Sequence, residues 1–439
     1  MLKDNGPMML SKGLLSIVST AYILGFFVAG PLTNFLPILP INTGTAYLYA
    51  LGFFLTFAGL LSLLGPVRKL AAFSAFITVA LSVLVLLKAA FDTNPMSQRI
   101  HEVAVLFPGA WPFLFFIQMN VQKIRQRYFK IFAWGFFALC VFSIFQSIFA
   151  QSLPISLFTL RGDNPFPVGD GTVLRPTGLV GDPIIFSSVL VFASAYFFAY
   201  WLENHRSRFL LALICSLVAN YLTYTRASIV LVIPVLISVW LFHNRFHIRH
   251  KIVALVVVIA GVAAGQYVLL YGQDLIIIQR LMNTDTWSVA STLVHIRQIR
   301  DSQAAIVAHP LAGVGLGSQG DFVGPQNVLV TDGAWWRLLL EFGIPLSAFL
   351  ILSIFTIVIV IAKYALSPGS QHSPDRPLAI ATVSFHAFII PASFINSAIF
   401  GHIAFVLYWT ALGLCVAGAD DASSPKSPLR SRSAILQCA

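Results

Sequence analysis

The residues best suited to chemistry in this chain are arginines at segment boundaries. Arg175 opens "RPTGLVGDP", Arg226 lies in "TYTRAS" (223–228), and Arg297 and Arg300 lie in "STLVHIRQIRDSQAAIVA" (291–308). A guanidinium is a planar fork that grips phosphate or carboxylate through two N–H bonds, whereas an ammonium is a hydrated point charge. Arginines gathered at one place would therefore hold an anion, and phosphate suits the fork. The bland alternative is that each is a solvated loop residue or a carboxylate partner, Asp182 being at hand for Arg175. Asp332, in "TDGAWWRLLLEFGIPL" (331–346), lies just outside the membrane ahead of an apolar run.

The elements that must position these residues are membrane helices. The chain of 439 residues is 58% hydrophobic and 10% charged, against about 45–50% and about 25% in a soluble domain. Apolar runs such as "LAAFSAFITVALSVLVLL" (70–87) and "IVALVVVIAGVAAGQYVLLY" (252–271) recur from end to end. Each approaches the roughly 20 residues that carry a helix across about 30 Å of hydrocarbon. Runs this apolar satisfy their backbone groups in lipid as helices. The expected architecture is an all-α polytopic membrane protein of about twelve transmembrane helices. The spans fall at 13–35, 44–64, 70–91, 102–121, 131–150, 184–203, 209–223, 227–243, 252–272, 336–362, 378–396 and 398–417. One integral domain then covers 1–439, with external loops at 151–183 and 273–335, the second large and partly helical between spans nine and ten. A tail at 418–439 is expected to be disordered.

Charge sets the sidedness. "PVRK" (66–69), "KIRQRYFK" (123–130), "HRSR" (205–208), "NRFHIRHK" (244–251), the 363–376 loop, the N-terminus and the tail hold 18 of the 27 lysines and arginines. The positive-inside rule makes this set cytoplasmic, with both termini inside. The other nine, Lys88, Arg99, Arg161, Arg175, Arg226, Arg280, Arg297, Arg300 and Arg337, then face outward, and eight of them are arginine. That bias leaves the outward arginines in need of another reason. The net charge of +11 follows from the membrane setting and gives no ground for a nucleic-acid partner. The N-terminal stretch shows no cleavable signal pattern. Cys140, Cys215, Cys415 and Cys438 are spaced for neither a disulfide framework nor a metal site.

The remaining motifs each admit two readings. Gly178, three residues after Arg175, either lets the backbone approach a ligand or makes a surface turn. The segment 291–308 reads as an amphipathic surface helix, with Leu293, Ile296, Ile299, Ile306 and Val307 apolar and Arg297, Arg300 and Asp301 together at helical spacing. "AHPLAGVGLGSQGDF" (308–322) is glycine-rich but follows no strand of a βαβ unit, so it is a turn returning to the membrane, and His309 in it is structural or substrate-facing. Trp335 and Trp336 are interface anchors or a stacking surface for sugar rings, with Arg337 beside them. Glu341, about two turns inside the membrane, is expected to face the bundle interior.

The order of these motifs resembles the O-antigen ligase and polymerase superfamily of bacterial envelope glycosyltransferases. "RPTGLVGDP" is similar to its Arg-x-x-Gly element, and "LTYTRAS" to a Thr-x-Arg-Gly element, with Ala227 in the glycine's place. "HIRQIRDSQAAIVAHPLAGVGLGS" resembles an arginine-led helix ending in Pro-Leu-x-Gly-x-Gly, with either Arg297 or His295 in the leading position. "TDGAWWRLLLEFGI" resembles a His-Asn…Glu-x-Gly element, with Asp332 and Gly333 where ligases carry histidine and asparagine. This departure favours a polymerase, in which that position varies more.

The resemblance implies a fold, a place and a reaction. The place is the periplasmic face of the bacterial inner membrane. Donor and acceptor would be glycans on undecaprenyl pyrophosphate, transferred without ATP, cofactor or metal. Arg175, Arg226 and Arg297 would hold the pyrophosphate, with Asp332 as base. Gly178, Arg300, His309, Trp335, Trp336 and Arg337 would complete the substrate site, against membrane lipid. A chain-length regulator and a flippase are protein partners the resemblance admits. The alternatives are a ligase transferring polymer to lipid A core and, in another class, a lipid-glycan transporter or flippase.

Overall fold

The computed structural model describes residues 12–29, 31, 43–64, 67–97, 99–100, 103, 111–119, 122–149, 167–168, 173–244, 286–318, 333–371, 373–393 and 402–423. Twelve helices run through them: α1 (Lys12–Phe27), α2 (Thr43–Ser62), α3 (Lys69–Phe91), α4 (Phe113–Phe116), α5 (Gln122–Ile148), α6 (Pro183–Asn204), α7 (Ser207–Leu222), α8 (Arg226–His243), α9 (Thr286–Ala308), α10 (Ala334–Leu366), α11 (Arg376–Ala392) and α12 (His402–Ser423). A two-residue antiparallel pair, β1 (Pro167–Val168) with β2 (Val173–Leu174), precedes α6. Helices α3, α5, α6, α8 and α10 are long and apolar enough to cross a membrane, and α1, α2, α7 and α11 contain shorter apolar helices. The chain is a helical membrane protein. Much of span four and all of span nine lie outside the described residues.

Helix α6 is the centre of the bundle, packed against α7, α8 and α11. Its start is encoded locally: Asp182 caps it by accepting the Ile184 and Ile185 amides at 2.8 and 3.0 Å, and Pro183 supplies the fixed φ suited to a first helical turn. Around it an aromatic core forms, in which Phe136 of α5 meets Phe27, Phe132, Phe192, Tyr196 and Phe197. The outer faces of the bundle show large apolar side chains such as Phe53, Phe76 and Trp134. Acyl chains are the solvent such faces require, so close packing and hydrogen bonds, more than exclusion of water, hold the helices to each other.

One end of the bundle is tied by ion pairs. The Arg125 guanidinium, 1% exposed, meets Asp375 at 2.6 Å and Asp421 at 2.7 Å. Arg68 also meets Asp421. Arg376 meets Glu203 at 3.1 Å and donates to the His243 carbonyl at 2.8 Å. Asp420 accepts the Ala71 amide at 2.7 Å at the start of α3. These contacts bring one end of α3, α5, α6, α8, α11 and α12 together. The described parts of the basic loops assigned by sequence to one side share that end.

Two boundaries differ from expectation for the same reason. Helix α5 starts at Gln122, not 131, because Arg125 must be rigidly placed to satisfy two carboxylates. Helix α12 runs to Ser423, so residues 418–423, expected in a disordered tail, are helical and present Asp420 and Asp421 to the network.

Helix α10 departs most from its expected form. The continuous span expected at 336–362 is broken at Gly343, whose φ of 76° and ψ of 172° leave the helical region. Pro345 supplies part of the reason, since it has no N–H for the Glu341 carbonyl. In an unbroken helix the Ile344 amide would donate to the Leu340 carbonyl. Here Ile344 N–H donates to the Pro310 carbonyl at 2.8 Å, and the Leu340 carbonyl accepts from Val314 N–H at 2.6 Å. The glycine-rich turn after α9 thus takes up both halves of the missing bond. Backbones approach so closely that a Cβ on Gly343 would strike the Leu311 carbonyl and one on Gly313 the Leu340 carbonyl.

Candidate functional site

The candidate site starts at the β1–β2 pair, which delivers Arg175 immediately after β2. The guanidinium donates from Nε to the Thr223 carbonyl at 2.8 Å and from Nη2 to Thr225 Oγ1 at 2.6 Å. Thr223 closes α7 and Thr225 precedes α8, so one planar fork spans the whole turn between two helices. The residue between them, Tyr224, has φ of 50°, a left-handed conformation unfavourable for a bulky side chain. Arg175 holds both sides of it. Thr223 Oγ1 donates to the Asn220 carbonyl and Ser228 Oγ to the Thr225 carbonyl, which are local backbone bonds.

Arg226 is the first residue of α8 and is half-buried. It therefore sits at the positive end of a helix whose leading amides point outward. A guanidinium in that position adds to the helix field, and Arg175 on the same turn adds a second. Such a corner is suited to an anion.

The backbone ahead of α6 is fixed by a residue absent from the sequence reading. Gln146, buried near the end of α5, accepts the Thr177 and Gly178 amides, both at 3.0 Å. Gly178 has φ of 58°, and a Cβ there would lie 2.7 Å from the Phe186 ring. Its role is thus a tight left-handed turn against α6, and this accounts for it without a ligand. Asp182 caps α6 as described, so the pairing with Arg175 that sequence offered for it is replaced by a cap. Gln146 was legible as a lone amide inside "FSIFQSIFA", the kind of polar residue that faces the interior of a membrane bundle.

The other candidates lie on separate elements. Arg297 is on α9 with its side chain 83% exposed, 3.8 Å from Asp301 one turn on. Arg300 is exposed on the same helix. The expected apolar face of α9 is only partly the one that packs: Leu293, Ile296 and Val307 are exposed, while Ser302 and Ile306 are buried. The reason is that α9 packs against α10 near the loop that its C-terminus feeds into. His309 is exposed and contributes backbone bonds, its amide to Ala305 and its carbonyl to Gly313.

At the start of α10, Trp335 is 1% exposed and its indole N–H donates to the Ile390 carbonyl of α11 at 2.5 Å. That buries the ring in packing, so it offers no open face for a sugar. Trp336 and Arg337 are half-buried. Arg337 Nε lies 3.6 Å from Oε1 of the fully buried Glu341, which agrees with an inward-facing carboxylate. Asp332 lies outside the described residues, as do 151–166, 273–285 and 319–331 of the two loops. Among the described residues, no group of three His, Cys, Asp or Glu side chains is placed to hold a metal ion.

The structure therefore joins Arg175 directly to the turn that carries Arg226, and places Arg297, Arg300 and Arg337 on other helices. Compared with known proteins, the chain matches no family model, and no curated protein matches it. The class that fold and site define is a helical membrane protein with an arginine-bearing corner at one end of its bundle.

Proposed function

We propose that this protein is a twelve-span glycosyltransferase of the bacterial inner membrane, with both termini cytoplasmic and its site on the periplasmic face. It joins oligosaccharide repeat units carried on undecaprenyl pyrophosphate into O-antigen or a related surface polysaccharide. The observation that carries the reading is the two-bond grip of Arg175 on the turn that presents Arg226 at the start of α8.

In this reading Arg226 and the leading amides of α8 take the donor pyrophosphate. Arg175 fixes the turn from which they act. The acceptor sugar hydroxyl attacks C1 of the donor, and the C1–O bond to phosphate breaks. The electron pair leaves with undecaprenyl pyrophosphate, and the hydroxyl proton passes to a base, with Asp332 the candidate. Charge grows on the leaving diphosphate as the bond breaks, so preorganised donors lower the barrier more than they aid ground-state binding. Arg297, Arg300 and Arg337 then serve the lipid headgroup region or the glycan.

The test is transfer between synthetic lipid-linked oligosaccharides by the purified protein in nanodiscs. Arg226→Lys keeps the charge and loses the fork, and should cut transfer by about 10–100-fold, the equivalent of a charge-assisted hydrogen bond. Full activity of that variant would sink the assignment. Deleting the gene separates polymerase from ligase. Loss of a polymerase leaves lipopolysaccharide capped by a single repeat, and loss of a ligase leaves bare core with polymer retained on the lipid.

A further inference from the structure

The loop between α9 and α10 is fastened at a second point, to a helix that it does not join. Asp92, just past the end of α3, accepts the Leu316 amide on Oδ2 at 2.9 Å. Asn94 Nδ2 donates to the Leu316 carbonyl at 2.9 Å. Both backbone groups of one buried loop residue are thus taken by two side chains from a distant stretch. The clip is itself braced: Asp92 Oδ1 accepts the Asn94 amide at 3.1 Å, and Lys88 Nζ lies 3.1 Å from Oδ2. The Asp92 side chain is 2% exposed, so water does not compete for these bonds.

The same loop is spliced into the break of α10 two and six residues earlier, through Val314 and Pro310. On its other side it continues from α9, with the Gly313 amide bonded to the His309 carbonyl at 3.0 Å. Loop 309–318 is therefore the joint that sets where α9 lies relative to α3 and α10. Resting on the transferase reading above, in which Arg297 and Arg300 serve the lipid headgroup or the glycan, we propose that Asp92 is a positioning residue: by holding Leu316 it sets where α9 and those arginines lie relative to α3 and α10. Removing its carboxylate leaves the Leu316 N–H buried without its acceptor, and the joint opens at α3 while the α10 splice remains. The residue was invisible as a functional candidate because "FDTNP" reads as an ordinary turn after a span.

The experiment uses the full chain in nanodiscs with two readouts, hydrogen exchange over 309–318 and transfer kinetics with undecaprenyl-pyrophosphate-linked oligosaccharide. Asp92→Ala should raise exchange at the loop amides by about tenfold or more, the scale of a lost charge-assisted bond. It should also raise KM for the donor more than it lowers kcat. Asp92→Asn keeps an oxygen acceptor and should recover much of both effects, which a purely global loss of stability would not do. Unchanged exchange in Asp92→Ala overturns the proposal, and so does faster exchange with wild-type kinetics. If wild-type protein transfers nothing while Asp92→Ala still frees the loop, the transferase reading falls and the docking role stands.

Discussion

Arg125 and Arg226 sit at opposite ends of one helix bundle and use the same functional group differently. Arg125 is sealed between Asp375 and Asp421, and its third contact is the Met119 carbonyl at 2.6 Å. Its charge is matched inside the protein and holds four helices to one another. Arg226 is half-buried on the first turn of α8, held out by Arg175 acting on backbone and hydroxyl. A buried guanidinium is tolerable only when paired, since desolvating a lone charge costs several kcal/mol. Under the proposed function, the two ends separate a structural use of arginine from a ligand-holding one.

The largest effect that would test this division is at the ion-paired end. Arg125→Ala leaves Asp375 buried without its partner and should destabilise the fold by about 3–5 kcal/mol. Thermal unfolding in detergent reads it. The double variant Arg125→Met, Asp375→Leu should recover most of the loss, because apolar residues of similar volume need no pairing. Transfer by the folded fraction should stay near wild type in both. A stable Arg125→Ala protein that no longer binds donor would place the functional end wrongly.

Next comes the arginine corner. Arg175→Lys keeps a cation but cannot bond Thr223 and Thr225 together in the plane of one fork. The expected loss is about 1.5–3 kcal/mol of transition-state stabilisation, seen as a lower kcat with little change in unfolding temperature. Arg226→Lys should cost a similar amount, and the pair should be far from additive if one positions the other. Additive effects would mean that the two act separately.

A smaller effect is expected at the break in α10. Gly343→Ala forces a side chain into backbone at φ 76° and ψ 172°, a region almost confined to glycine, which costs about 1–3 kcal/mol before the clash with the Leu311 carbonyl is counted. Faster hydrogen exchange over 309–318 should accompany it. An unchanged loop would show that the splice to α10 is incidental.

Membrane class, the rough placement of the described apolar helices and the gathering of basic segments at one end were legible because each depends on summed hydropathy and charge. The helix starts at Pro183, Arg226 and Arg376 lie within two residues of the spans expected from 184, 227 and 378. What escaped reading depends on single contacts between distant segments. Gly343 and Pro345 in "EFGIPL" are the usual punctuation, but hydropathy carried the expected span through them, and the bonds that fix the break come from residues 310 and 314. Gln146 and Asp92 have no motif, because their partners at 177–178 and 316 are brought close only by the folded bundle. Charge placement groups Arg175 and Arg226 with seven other outward-facing cations, while the Thr223–Thr225 grip depends on geometry that spacing does not encode. The periodicity of α9 puts Arg297 on a polar face, and it is exposed, but which apolar residues pack, Ile306 and not Leu293, Ile296 or Val307, follows from how α9 docks.

The finest test sets the loop clip against the ion-paired end by pH. Burial acts to raise the Asp92 carboxyl, but the Leu316 and Asn94 amides and Lys88 outweigh it and hold it below its ordinary value of 3.8. A carboxyl depressed in the folded state stabilises that state above its unfolded value and loses the contribution as pH falls through the lower, folded one. Loop protection, corrected for intrinsic exchange, should therefore be flat from about pH 8 to about pH 5 and weaken only in stronger acid. Asp92→Asn should start from weaker protection and lack the acid limb. A wild-type loop that opened near neutral pH would mean that a group other than Asp92 controls the joint.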